Sequence, residues 1–321
     1  MSLSLYHFCP KCYRLLKKVF LLPSTATLKR VLRSIYIYPG FNQNLLGMFK
    51  EKVKGMTDSD KQCSIILDEM SIKSNLTYHR HRDSVEGLED LEPIFGETEY
   101  VGSSALVFMA RGLNGSWKQI IGYFVTSSSI KPELLKSLLL SAIDFAMQAG
   151  LQPLVVLCDQ GSNNQSCYRT HLGVTVEKPY FQYKDQQIVC MYNSPHLLKN
   201  IRNNLKSNGL LVSGDPARWE HLQLLYHQDC SLPIRCASKL TEKHFELPVF
   251  SSLRVQLAAQ ILSNSVARGV TLFASLKLIP KKCTVTGEFC KFFDSLFNAF
   301  NSASLKSGKS FNHVITANSS H

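Results

Sequence analysis

The sequence contains no apolar run approaching the roughly 20 residues that cross a bilayer, so no membrane partner is expected. No secretory signal is expected either, because His7, Lys11 and Arg14 interrupt the apolar start. No internal repeat appears, which sets aside solenoids and propellers. Residues 1–40 hold no acid, although Lys11, Arg14, Lys17, Lys18, Lys29, Arg30 and Arg33 all fall there. Cys9-Pro10-Lys11-Cys12 has zinc-ligand spacing, but no second Cys-x-x-Cys or His-x-x-x-His follows at finger distance. Others of the 10 cysteines, such as Cys63, Cys158 and Cys190, sit inside apolar runs, where a free thiol packs as a small hydrophobe; this is the usage of a reduced intracellular protein.

What is present is positive charge. Lys+Arg 36 against Asp+Glu 24 gives a net +12, which favours a polyanionic partner. The 321 residues, 45% of them hydrophobic, suffice for two domains or for one domain with an insertion.

The centre of the chain is residues 62–159. Gln62 to Met70 and Leu154 to Gly161 are each an apolar run closing on an aspartate, Asp68 and Asp159. Each reads as a buried strand delivering a carboxylate to a sheet edge. Ser104 to Ala110 and Gln119 to Thr126 are two further strands, with Asn114-Gly115 expected to turn between them through a positive φ. A helix from Lys131-Pro132-Glu133 to Ala149-Gly150 buries Leu135, Leu138, Leu139, Ala142, Ile143 and Ala146 at helical spacing. A right-handed crossover then returns the chain to a strand parallel to an earlier one. If that strand lies beside the one carrying Asp68, the two carboxylates meet at one edge. An aspartate at a strand end also caps a turn or helix, and that plainer role stands beside the metal-ligand one for each. Neighbouring Glu69 is a further acid, although strand alternation turns it away from Asp68.

Around this centre the elements are simpler. Residues 1–40 read as two helices split at Leu22-Pro23-Ser24, the second capped by Ser24 or Thr25 and carrying a stripe of Leu28, Val31, Leu32 and Ile35. Lys29, Arg30 and Arg33 then face outward, which suits either helix-turn-helix contact with DNA phosphates or a solvated basic face. Phe41 to Val53 reads as a helix, Thr57 to Lys61 as a polar link, and the charged stretch from Ile72 to Glu92 as a loop or edge hairpin. After Asp159 come a polar turn, a short helix from Gln165 to His171 and a strand from Ile188 to Tyr192. Pro195 opens a helix that buries Leu197, Leu198, Ile201 and Leu205, leaving His196, Lys199, Arg202 and Asn203 exposed as candidates for phosphate or base contacts. From about residue 215 the pattern is helical, with Trp219, Leu222, Leu225 and Tyr226, then Leu253 to Ala267 and Phe289 to Phe300. Asn301 to His321 is polar and reads as a mobile tail.

Several of these stretches resemble the P-element family of transposases, which includes the vertebrate THAP-domain transposases. The matching segments are Leu67-Asp68-Glu69-Met70-Ser71-Ile72-Lys73, Ser84 to Leu91, Cys158-Asp159-Gln160-Gly161-Ser162-Asn163-Asn164, Ser194-Pro195-His196-Leu197-Leu198-Lys199-Asn200-Ile201-Arg202-Asn203 and Lys239 to His244. Their order, spread over about residues 3–302, carries the likeness. It implies an α/β, ribonuclease H-like mixed sheet with flanking helices, followed by a mostly α-helical insertion domain. The divisions expected are a basic helix-turn-helix-like segment over 1–40, the incomplete catalytic domain over 41–187, the helical GTP-binding insertion over 188–302 and the tail over 303–321.

The resemblance assigns Asp68 and Asp159 as catalytic, metal-binding acids for magnesium or manganese. It makes DNA the partner, bound by Lys17, Lys18, Lys29, Arg30 and Arg33, in the nucleus and in an intact member as a homo-oligomer. GTP is implied as an assembly cofactor, with His196, Lys199 and Asn203 as candidate contacts. Ser307-Gly308-Lys309-Ser310 resembles the end of a Walker A loop, but Ala303 stands where the first glycine belongs, and Asn-Lys-x-Asp is absent. The family's third acid, a glutamate after the insertion, is not found; Glu288 lies in the helical region. No THAP zinc module or leucine zipper is found either, so the chain reads as truncated. The alternative expectation is a non-catalytic, transposase-derived DNA-binding or regulatory protein.

Overall fold

The computed structural model describes residues 2–34, 37–80, 83–91, 96–212, 214–246 and 254–301. The chain divides into two compact units, Met1–Leu154 and Val155–His321.

The first unit begins with α1 (Ser2–Phe8), α2 (Pro10–Val19) and α3 (Thr25–Ser34). There are three helices rather than two because Pro10 opens a new one, and the Cys9 sulfur caps it by accepting the Cys12 N–H at 3.4 Å. Tyr13 is buried and donates its hydroxyl to the Pro23 carbonyl at 2.8 Å, while the Ser24 hydroxyl caps α3 by accepting the Thr27 N–H at 2.9 Å. Of the expected stripe on α3, Leu28 is buried but Val31 and Leu32 are exposed; Ile35 lies outside the described residues. α4 (Gln43–Lys54) follows, capped by Asn42, and then α5 (Asp58–Lys61), where only a polar link was expected. α5 forms because Thr57 caps it and Asp58 and Asp60 face its positive end.

The sheet starts with β1 (Gln62–Ser71), which pairs antiparallel with β6 (Ser104–Gly112); β6 pairs antiparallel with β7 (Lys118–Thr126). Between β1 and β6 the polar stretch supplies β2 (Thr77–His79) and β3 (Ser84–Glu86), a separate hairpin, and then β4 (Leu88–Asp90) and β5 (Glu97–Val101). Its polarity suits the outermost position, since a sheet edge needs no apolar face on both sides. The β6–β7 connection is longer than a two-residue turn, and Gly115 is not at positive φ. Its small size is required instead by Trp117, whose ring would stand 3.0 Å from an added Cβ while its N–H donates to the Asp60 carbonyl at 3.0 Å.

α6 (Pro132–Gln148) buries the six apolar positions read from the sequence, each large one contributing about 1.5–3 kcal/mol through burial. Phe41 packs with Phe108, Phe124 and Phe145, ring centroids 5.2–5.8 Å apart. β8 (Gln152–Cys158) closes the unit and runs into the next. The full sheet has eight strands in the order β5-β4-β7-β6-β1-β8-β10-β9.

In the second unit, α7 (Ser162–Ser166) leads into a single π turn, Cys167–His171. β9 (Tyr180–Tyr183) and β10 (Gln186–Tyr192) then form a hairpin, with β10 parallel to β8. The expected domain boundary at residue 188 therefore falls inside β10, a strand of the sheet. α8 (Ser194–Asn208) opens the helical part, and a small hairpin of β11 (Leu210–Val212) and β12 (Asp215–Ala217) follows it. Then come α9 (Trp219–Cys230), α10 (Val255–Ile261), α11 (Asn264–Ser275) and α12 (Thr284–Asn301). Of the run expected from Leu253 to Ala267, Leu253 lies outside the described residues, and the remainder is split between α10 and α11 because Ser263 caps the second by accepting the Val266 N–H. Leu198, Leu205, Leu222, Leu225, Ile261, Val270 and Phe273 are buried in this unit's core. The tail over 303–321, with its Walker-like segment, lies outside the described residues. Among the described residues no helix is long and apolar enough to cross a membrane.

Candidate active site

Asp68 stands where β1 leaves the core. Ile65 and Leu67 are buried, whereas every residue from Asp68 to Ser71 is exposed. Its register partner is Val107, and its Oδ1 accepts the Glu69 N–H at 3.1 Å. Glu69 is also exposed.

Asp159 follows the last residue of β8 and is held more firmly. Its Oδ1 accepts the Gly161 N–H at 2.8 Å and the Asn164 side-chain amide at 2.6 Å. Thus one oxygen does perform the capping role weighed above. A Cβ on Gly161 would come 3.0 Å from that same oxygen, so glycine keeps the turn closed around it. The other oxygen, Oδ2, faces His196 Nδ1 at 3.8 Å. His196 reaches this place because the Asn193 N–H donates to the Cys158 carbonyl at 2.8 Å, tying the start of α8 to the end of β8. Asn200 strengthens the tie, donating to Gln160 Oε1 at 3.0 Å.

The sequence reading placed His196 among possible phosphate contacts and missed its relation to Asp159. The signal in the sequence was the helix start fixed by Pro195; the parallel run of β10 beside β8 comes from the structure. Asn164, which orients Asp159, carried no separate signal.

The other expected residues are distributed more widely. Lys199 and Asn203 are half-buried on α8, and Asn203 Oδ1 accepts Arg202 Nε at 2.8 Å. Arg202 itself corrects the expectation of an exposed contact, being 1% exposed on the helix's inner face, where burial lowers its pKa from the ordinary value. Lys17, Lys18, Lys29 and Arg30 are exposed on α2 and α3, as a basic surface requires. Arg33 lies in α3, its side chain outside the description. Glu288 is exposed on α12.

Burial pushes Cys63 and Cys190 up to about 12, which keeps them protonated packing groups. Among the described residues no cluster of three or more His, Cys, Asp or Glu side chains could hold an ion.

A mixed sheet with flanking helices, leading into a helical module, defines a ribonuclease H-like catalytic fold carrying an insertion. Residues 37–172 match the family model described as TNP-like, RNase H N-terminal domain, and residues 195–313 match TNP-like, GTP-binding insertion domain. The chain is 28% identical over 297 residues to the Transposable element P transposase of Drosophila melanogaster, covering 91% of this chain and 37% of that protein. It is also 28% identical over 313 residues to the human DNA transposase THAP9, covering 93% of this chain and 34% of the relative. It thus spans about a third of the length of these curated relatives. Among solved structures, the Drosophila P element transposase strand transfer complex matches with a TM-score of 0.80 and 26% identity, over 96% of this chain and 66% of that one. The chain belongs to the P-element-like family of transposases.

Proposed function

We propose that this chain supplies two of the metal-holding acids of a DNA strand-cleaving and strand-transferring enzyme, Asp68 and Asp159. The observation that carries the reading is the strand order: β1 and β8 are neighbours in the sheet, and each delivers its aspartate where the buried part of the strand ends. Magnesium or manganese bound there would activate the attacking oxygen and stabilise the leaving one. Asp159 is prepared for the role, because Gly161 and Asn164 fix its carboxylate through one oxygen while the other is left to the His196 side.

Lys17, Lys18, Lys29, Arg30 and Arg33 hold the phosphate backbone of DNA. The likeness of residues 195–313 to a GTP-binding insertion supports GTP as a cofactor that organises the assembly rather than the chemistry. His196, Lys199 and Asn203 remain candidate contacts on α8, although the position of His196 favours a role beside Asp159. Genomic DNA as substrate makes the nucleus the place of action and a homo-oligomer the working form.

Isothermal titration with manganese tests the acids. Wild type is expected to bind and Asp68→Asn/Asp159→Asn to lose that binding. Equal binding by both proteins would overturn the metal assignment.

A further inference from the structure

Away from the carboxylates, basic side chains of the second unit gather along α11 and α12. Three cavities open there. One, of about 770 Å³, is lined by Arg218 at the start of α9 and by Lys281 and Lys282 in the turn that leads into α12. A second shares Pro280, Lys281 and Thr284 with it and adds Lys277. A third shares Thr271 and Ser275 with the second and adds Arg268 and Lys291. The shared walls make these a continuous track. Its cations outnumber the acids that line it, Asp215, Glu220 and Glu288. None of the six basic side chains has an ion pair or hydrogen bond among the described residues.

Two further features of the largest cavity suit an anion. The first turns of α9 and α12 both line it, so two positive helix ends add to the cations. His221, 4% exposed, also lines it; its Nδ1 is paired with the Thr286 hydroxyl at 2.8 Å, and its other ring nitrogen has no partner among the described residues. Burial, and then Lys282, lower the pKa of this imidazole, so at neutral pH it is an uncharged hydrogen-bonding group.

The shape of the track decides which anion. No Phe, Tyr or Trp lines any of the three cavities, so there is no platform on which a base could stack. A row of cations without such rings recognises a chain of phosphates and ignores the bases. We propose that the α11–α12 face binds the phosphate backbone of double-stranded DNA without regard to sequence, as a contact separate from the N-terminal helices. The choice of DNA as the polyanion rests on the transposase reading above.

Fluorescence anisotropy of the whole chain with duplexes of unrelated sequence, titrated over a range of salt, tests this. Lys277→Ala/Lys281→Ala/Lys282→Ala is expected to weaken binding to all duplexes alike and to reduce the salt slope by about 2–3, since each lost phosphate contact removes roughly 0.9. Arg268→Ala/Lys291→Ala, at the far end of the track, is expected to lower the slope by about 2 and provides an independent reading should the triple variant misfold. If neither variant changes affinity or slope while Lys29→Ala/Arg30→Ala does, the track is overturned and DNA as partner survives. Absence of duplex binding by wild type would overturn both. Displacement of the duplex by an equimolar amount of GTP, together with loss of GTP binding in the triple variant, would make the cavity a nucleotide site and overturn the proposal.

Discussion

At the scale of single residues, the second unit places two charged groups deep in its interior, and each has a structural purpose. Asp229 is fully buried, with Oδ2 accepting Arg235 Nε at 3.1 Å and Oδ1 accepting the Cys236 N–H at 2.6 Å, so it closes the loop after α9. Arg202 sits on the inner face of α8 between Leu198 and Leu205, both buried. The spacing 198, 202, 205 is that of one helical face, and it was legible; the charge of Arg202 argued against it and misled the reading. A long side chain can fill such a place when its stem packs and its head is hydrogen-bonded. Arg202→Ala leaves a void and strands the groups that the guanidinium served. A loss of about 2–4 kcal/mol is expected, measured by urea unfolding of the whole chain. A cost within about 0.5 kcal/mol, the ordinary range of a surface substitution, would show that the side chain contributes nothing there.

At the scale of elements, the sheet's outer edge depends on one carboxylate. Glu89 of β4 accepts hydrogen bonds from the Ser127 N–H at 3.0 Å, the Ser127 hydroxyl at 2.9 Å and the Thr98 hydroxyl at 3.0 Å, joining β4 to β5 and to the end of β7. Partial burial pushes its pKa up, but the bonds from Ser127 and Thr98 outweigh that and leave it below the ordinary value. A lowered folded pKa stabilises the fold fully above the unfolded value of about 4.3, and that contribution fades as pH falls through the folded value. Glu89→Gln is therefore expected to be less stable than wild type at neutral pH, with the gap narrowing under acid conditions. Urea midpoints compared at about pH 7 and about pH 3 check this, and a gap that stays constant would remove Glu89 as the cause. Long elements such as α6, β1 and β6 were legible because their apolar spacing persists over many residues. The strands β2 to β4, only three residues each, are too short to show a period, and β4 pairs with β7, distant in sequence, as well as with β5.

At the scale of the whole chain, Asp159 was legible as the residue that follows a strand, and Asp68 as the close of an apolar run although β1 itself continues to Ser71, whereas the tie from Asn193 to Cys158 that brings His196 to Asp159 was not legible, because it depends on how β10 runs beside β8. The expected boundary at 188 lies within β10, which is followed at once by a helix, and nothing in its composition says on which side of a division it belongs. The proposed metal site has a consequence for the stability of the entire molecule. An ion that binds only the folded chain stabilises it by mass action, about 2.7 kcal/mol at 100 times its dissociation constant. For units of about 150 residues, each kcal/mol raises the melting temperature by roughly 2–4 °C. Saturating manganese is therefore expected to raise wild-type melting by roughly 5–10 °C. Asp68→Asn/Asp159→Asn should melt no lower than wild type without metal, because both acids are at least partly exposed, and should gain nothing when manganese is added. Either single variant, keeping one carboxylate, is expected to show most of the same loss if both acids hold the same ions. A full shift retained in one single variant would mean that its aspartate is no ligand, and the proposed pairing of β1 with β8 as a metal site would fall.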